Sequence, residues 1–215
     1  IVLVVLLRLI KAVLMPRFSA FGRRTARLTH GKEWEQKKAN QIRIVKFGEY
    51  VFRLLFHFCI SLAGIFYFWD KEWWKPGNTQ TLFMDYPNQP IAPGMAWYYL
   101  VQSAYNIDAM VSLLEMSLQV RFFVPSPSRK IFFPISIGWA KEVRGDFREM
   151  FIHHVVTNLL VIGSSSFRFA RAGSMVFLIH DISDVPVDLS KLANFLKWKA
   201  TTATCFASMV LVWCM

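Results

Sequence analysis

Two adjacent histidines, His153 and His154, stand in the run RGDFREMFIHHVVTNLL that starts at Arg144. A second polar series follows in HDISDVPVDLSK, which holds His180, Asp181, Asp184, Asp188 and Lys191. Helix positions three and four apart share a face, so Asp181, Asp184, Asp188 and Lys191 form one stripe. His153 and Thr157 share a face in the same way. His153 and His154 point about 100° apart, so one can look into a cavity while the other packs or bonds elsewhere.

An imidazole held by a carboxylate is a proton-transfer pair. Near its unperturbed pKa of about 6.5, a neutral His takes a proton from an attacking amine or hydroxyl. The Asp fixes the tautomer and stabilises the imidazolium. The imidazole can instead carry an acyl group covalently, and the sequence does not choose between the two routes. Metal chemistry fits less well. Di-iron membrane oxygenases need a larger His set in HxxxH and HxxHH clusters, and this chain has five His in all (His30, His57, His153, His154, His180). A mononuclear site is the metal alternative left. Ser164, Ser165 and Ser166 show no nucleophile-elbow pattern.

The elements that carry these residues are apolar. Of the 215 residues 54% are hydrophobic, 16% aromatic and 18% charged, and the mean hydropathy is +0.34. Soluble domains are about 25% charged. The fold class expected is all-α, a polytopic transmembrane helix bundle with about six spans. A leading helix ends near Met15, stopped by Pro16. The others cover 47–69, 95–118, 147–164 and 171–189, and a last one begins near Trp198. The apolar ends of the chain read as cut points in a longer protein. Residues 1–46 are then the tail of a leading helix and a basic cytosolic segment, and 47–215 form one domain. The net charge of +11 sits between apolar runs, which fits topology signalling better than nucleic-acid binding. Segments 16–46, 119–146 and 190–198 are basic and expected in the cytosol. The 70–94 loop is expected in the lumen, bracketed by an interfacial belt of Trp69, Trp73, Trp74, Trp97, Tyr98 and Tyr99. Cys59, Cys205 and Cys214 lie in apolar stretches with no metal spacing and read as inert.

Insertion cost sets the expectation for the stripe. Asp181 and Asp184 at mid-membrane together cost about 5–7 kcal/mol, while eight apolar neighbours return about 2–5 kcal/mol. That helix must face a bundle interior or a wet cavity, which marks a functional site. Asp188 and Lys191, nearer the membrane edge, also read as an ion-paired strut.

The run Asp146-Phe147, His153-His154, Thr157, Arg171, Gly173, His180-Asp181, Asp184, Lys191 resembles the Lag1 motif of ceramide synthases. The segments DYPNQP (85–90), WYYL (97–100) and KFGEYVFRLLFHF (46–58) resemble the same family. The resemblance implies a TRAM–Lag–CLN8 (TLC) domain over 47–215, multi-pass in the endoplasmic reticulum membrane. It implies N-acylation of a sphingoid long-chain base by fatty acyl-CoA. His153 and His154 are then the catalytic pair, with Asp181 and Asp184 as their partners. Asp146, Thr157, Arg171, His180, Asp188 and Lys191 support them. The family implies no metal or prosthetic group, with acyl-CoA as co-substrate. Partners are acyl-CoA, the long-chain base and membrane lipid, not nucleic acid; a homo- or hetero-oligomer stays open. Arg144 and Arg148 are candidates for the CoA phosphates, or topology signals alone. The alternative is a non-enzymatic member of the same domain class that handles lipid or assists translocation.

Residues 120–143 fit neither a span nor a short loop, since they hold three prolines and mixed polarity. They read as an insertion or a retained intron. Under the intron reading the mature transcript lacks these codons. Sequencing that transcript tests it, and a message that keeps Arg121 to Glu142 establishes a true insertion.

Overall fold

The computed structural model describes residues 1–75, 77–122 and 147–214. Among these residues the secondary structure is helical with no strand. The helices are α1 (Val2–His30), α2 (Lys32–Gln36), α3 (Lys38–Phe68), α4 (Pro93–Phe122), α5 (Phe147–Ser166), α6 (Ala170–Phe195) and α7 (Lys199–Cys214). Two short 3-10 turns, Glu72–Trp74 and Thr79–Leu82, lie in the connection between α3 and α4. Residues 123–146, most of the unusual 120–143 segment, lie outside the described residues, as do Arg144 and Asp146.

Pro16 does not end the first helix. α1 runs through it, with Pro16 on the exposed side. An interior proline removes a backbone hydrogen bond at about 3 kcal/mol. Packing overrides that cost: Met15, Ser19, Gly22 and Ala26 are buried in a small-residue stripe, and α1 packs against α3. The approach is close. A Cβ on Gly48 of α3 would sit 3.3 Å from the backbone nitrogen of Ser19. The expected cytosolic loop 16–46 is therefore mostly helix. Arg27 ties α1 to α2 through Glu35, and this hydrogen bond holds the Glu35 carboxyl below the usual range.

Pairwise packing closes a ring. α6 lies on α3, α3 on α1, α1 on α4, α4 on α5, and α5 back on α6, while α7 packs on α6. The apolar core gathers at one end, where Phe68, Trp73, Tyr98, Tyr99, Phe177 and Leu178 meet. Tyr98, Tyr99 and Trp73 are buried there, whereas Trp69 and Trp97 are exposed. The expected aromatic belt thus divides. Its members fall on different faces of their helices, and the buried tyrosines each find a hydrogen-bond acceptor, as buried hydroxyls require.

Two tight turns set the order of α5, α6 and α7. Arg168, at φ 61°, closes the α5–α6 turn. α6 ends past the expected 189, at Phe195. Trp198 N–H then donates to Ala193 O at 2.9 Å and Lys197 N–H to Asn194 O at 3.1 Å, with Lys197 at φ 62°. This is a Schellman closure. Lys191 therefore lies on the helix, not in a loop.

The outside of the ring is apolar. Leu55, Phe66, Leu100, Leu159, Val176 and Phe206 are all exposed large side chains on five different helices. Between α1 and α4, opposite charges meet. Arg8 Nε reaches Asp108 at 2.9 Å, Lys11 Nζ reaches it at 3.4 Å, and Arg8 also pairs with Glu115 at 2.8 Å. Asp108 is buried. Among the described residues one helix is long and apolar enough to cross a membrane by composition alone, Arg43–Phe68 within α3. The apolar stretch Lys199–Val212 of α7 is shorter.

Removing Asp108 takes the carboxylate from Lys11 and leaves Arg8 with Glu115 alone. Asp108→Ala is expected to lower stability by about 2 kcal/mol or more. Thermal unfolding in detergent checks this, and replacing Arg8 with Met in the same chain should recover part of the loss.

Candidate active site

The polar interior is built from three helix faces. α6 supplies Asp181 and Asp184. α4 supplies Tyr98, Gln102 and Tyr105, spaced as one face of a helix. α3 supplies His57 from the middle of an apolar run.

Asp181 is 4% exposed and takes three donors from two helices. His57 Nδ1 donates to Oδ1 at 3.2 Å, Tyr98 Oη donates to Oδ2 at 3.0 Å, and the Gln102 amide donates to the same oxygen. With its proton on Nδ1, a neutral His57 presents Nε2 as an acceptor. Tyr105 Oη lies 3.1 Å from Nε2 and donates to it. Phe56 stacks on Tyr105 with centroids 3.8 Å apart and so fixes the phenol plane. Asp184 is different: its Oδ2 stands 3.7 Å from His57 Nε2, and its side chain is 35% exposed.

The paired histidines of α5 line the other side. His154 Nδ1 is 3.4 Å from Asn106 Oδ1, and the Asn106 amide donates to Gln102 O at 3.0 Å. His153 is exposed and stacks against His180 with centroids 5.7 Å apart and planes 20° from parallel. Asp184 lies within electrostatic range of His57, His180 and His153. One turn further along α6, buried Asp188 pairs with Lys191 at 3.0 Å, and the Lys191 ammonium lies 5.3 Å from the Tyr50 ring centre.

The family model of the TLC domain, named for TRAM, Lag1 and CLN8, matches residues 46–215. The chain belongs to the TLC-domain family. Ceramide synthase 4 of Bos taurus is 29% identical over 183 residues, which is 83% of this chain and 39% of that protein. Ceramide synthase 3 of Mus musculus is 29% identical over 175 residues, 80% of this chain and 38% of the relative. Sphingosine N-acyltransferase lag1 of Schizosaccharomyces pombe is 26% identical over 174 residues, 81% of this chain and 38% of the relative. The chain thus spans about two fifths of the length of the curated relatives it matches.

Within this TLC domain the motif residues separate by place. His153, His154, His180, Asp181 and Asp184 gather around the interior. Thr157 instead bonds its own helix, donating to His153 O at 2.8 Å. Arg171 reaches away from the interior, to Thr81 O at 3.0 Å in the α3–α4 connection. Tyr86 stacks on Phe169 nearby, with centroids 4.5 Å apart. Together these contacts fasten that connection over the α5–α6 turn. Gly173 is required by close packing, because a Cβ there would strike Tyr99 Oη and come within 2.8 Å of Ser164. Arg148 is exposed on the first turn of α5. Among the described residues no three His, Cys, Asp or Glu side chains gather closely enough to hold a metal ion.

Sequence reasoning missed His57, Tyr98, Gln102 and Tyr105 as site residues. The signals were present. His57 is an ionisable group inside an apolar span, which is a functional marker by default. Tyr98, Gln102 and Tyr105 follow helical spacing, but the tyrosine was assigned to a belt.

Asp181→Leu leaves buried His57, Tyr98 and Gln102 without their acceptor. The expected loss of stability is about 3–5 kcal/mol. Asp181→Asn keeps an acceptor oxygen and should lose less. Thermal unfolding of the two variants side by side checks the order.

Proposed function

We propose that this TLC domain is the membrane core of a ceramide synthase, which N-acylates a sphingoid long-chain base with fatty acyl-CoA. The observation that carries the reading is the placement of His153 on α5, beside His154 and stacked on His180, within electrostatic range of the partly exposed Asp184 carboxylate on α6, in a bundle whose outer surface is apolar. Relatives named ceramide synthase and sphingosine N-acyltransferase support it.

The chemistry follows from the parts. The attacking group is a primary amine, which reaches the site as an ammonium in an apolar surrounding. It must lose one proton to become a nucleophile and a second as the amide forms. One proton passes to the leaving thiolate and one to bulk water. A His of the α5 pair takes the proton from the amine, or first accepts the acyl group at an imidazole nitrogen and releases the thiolate. Both routes balance. Asp184 meets the ammonium or the imidazolium, because Asp181 is already held by three donors. Acyl transfer of this kind uses no metal or prosthetic group, and acyl-CoA enters as co-substrate. Arg144 and Arg148 are the candidates for meeting the CoA phosphates from the cytosolic side.

The setting is a multi-pass protein of the endoplasmic reticulum. The helices α1, α3, α4, α5, α6 and the shorter α7 supply six spans, and the apolar outer face with Asp108 buried against Arg8 supports this. A charged helix that fails a composition test still spans when its charges pair inside a bundle. Asp146 belongs to the motif at the start of α5, and the family likeness supports its role there.

The test uses microsomes from cells that lack their own ceramide synthases. They carry the full-length protein and receive a labelled long-chain base and a panel of acyl-CoAs. Acyl-CoA-dependent ceramide is expected. His153→Ala, His154→Ala and Asp184→Asn should each lower turnover by about 10²-fold or more at matched expression. No ceramide from well-expressed wild type, across all bases and chain lengths, overturns the reading in favour of a non-enzymatic lipid-handling or translocation role.

A further inference from the structure

We propose that His57 is the positioning residue of this site, and that its tautomer decides which of the two carboxylates meets the substrate's amine. The inference rests on the acyltransfer reading above and adds a residue outside the paired histidines. His57 is buried on α3, and both of its ring nitrogens are engaged. Nδ1–H is committed to Asp181 at 3.2 Å. In the neutral ring Nε2 is then a lone pair, filled by the Tyr105 hydroxyl at 3.1 Å.

The consequence falls on Asp184. Its Oδ2 lies 3.7 Å from Nε2. A lone pair at that nitrogen repels a carboxylate, whereas an N–H there would bind it. With the proton on Nδ1, Asp181 is locked into the wall by His57, Tyr98 and Gln102. Asp184, its side chain partly exposed, is left to the side where His153 and His180 stack. The opposite tautomer would reverse these roles: Asp184 would be clamped to His57, and Asp181 would lose a donor. The distances select between them: Asp181 Oδ1 lies 3.2 Å from Nδ1 and Asp184 Oδ2 3.7 Å from Nε2, while the Tyr105 hydroxyl, which donates or accepts, fills the bare nitrogen. The Phe56 ring stacked on Tyr105 keeps the phenol in line. Two carboxylates of one helix face thus receive different tasks from a single imidazole on another helix.

Three replacements of His57 in the full-length protein separate this role from packing. His57→Asn places an amide near the Nδ1 position and keeps a donor for Asp181. His57→Gln places its amide near the Nε2 position, where it faces Tyr105 and Asp184. His57→Phe keeps ring volume alone. The readouts are kcat and KM for ceramide formation at matched expression, with thermal unfolding in detergent as the control for folding. His57→Phe and His57→Gln are expected to lower kcat by about 10²-fold with KM for acyl-CoA little changed, and His57→Asn to recover to within about tenfold of wild type. In an Asp181→Asn background, His57→Phe should lower kcat little further, because the two residues act as a unit. Wild-type turnover in His57→Phe overturns the proposal. So does a His57→Asn chain that folds but is as slow as His57→Phe, since a donor to Asp181 would then not be what matters. An inactive wild type is a different outcome, because it removes the acyltransfer reading itself and the proposal with it.

Discussion

A carboxylate buried between helices has to be met by donors from its neighbours, and Asp181 imposes that condition on this bundle. Its own helix offers it little, since the backbone groups of α6 are used within the helix. The donors come from α3 through His57 and from α4 through Tyr98 and Gln102. Satisfying one group therefore fixes the rotation of two helices about their axes and their depth relative to α6. A register slip on α4 would carry Tyr98 and Gln102 off the face together. In an apolar medium the cost of an unpaired charge is large, so the arrangement is strongly determined.

The same logic governs the contact between α1 and α4. α1 carries Arg8 and Lys11, and α4 carries Asp108 and Glu115. Taken alone, each is too charged to sit in hydrocarbon. Taken together, they neutralise one another across the α1–α4 contact. The polar groups belong to the assembly rather than to single segments, and the outer surface is left to Leu, Val and Phe.

Much of the helix order could be read from the sequence, because apolar runs of helical length are bounded by charged and turn-rich stretches. The stripe of Asp181, Asp184, Asp188 and Lys191 on α6 was also legible from its spacing. Three things could not be read. Pro16 looked like a stop, because its local cost is visible in the sequence while the compensating stripe of Met15, Ser19, Gly22 and Ala26 works only against α3. Tyr98 looked interfacial, because its neighbours Trp97 and Tyr99 are aromatic and the sequence does not say which way each turns. The split between Asp181 and Asp184 was invisible, because both lie on one face and only the position of His57, distant in sequence, distinguishes them. Spacing within a helix tells which residues can act together. It does not tell which residue of another helix they will meet.

The two turns that join α5, α6 and α7 close through Arg168 and Lys197, both in the left-handed region. A non-glycine residue there costs about 1–2 kcal/mol. Each also places a cation at a helix C-terminus, where the macrodipole returns about 0.3–1 kcal/mol. The dipole offsets part of that cost, and at Lys197 the two closing backbone hydrogen bonds offset more. The packing of the helices each turn joins must hold the rest. The α5–α6 and α6–α7 contacts thus carry the strain of the turns that join them.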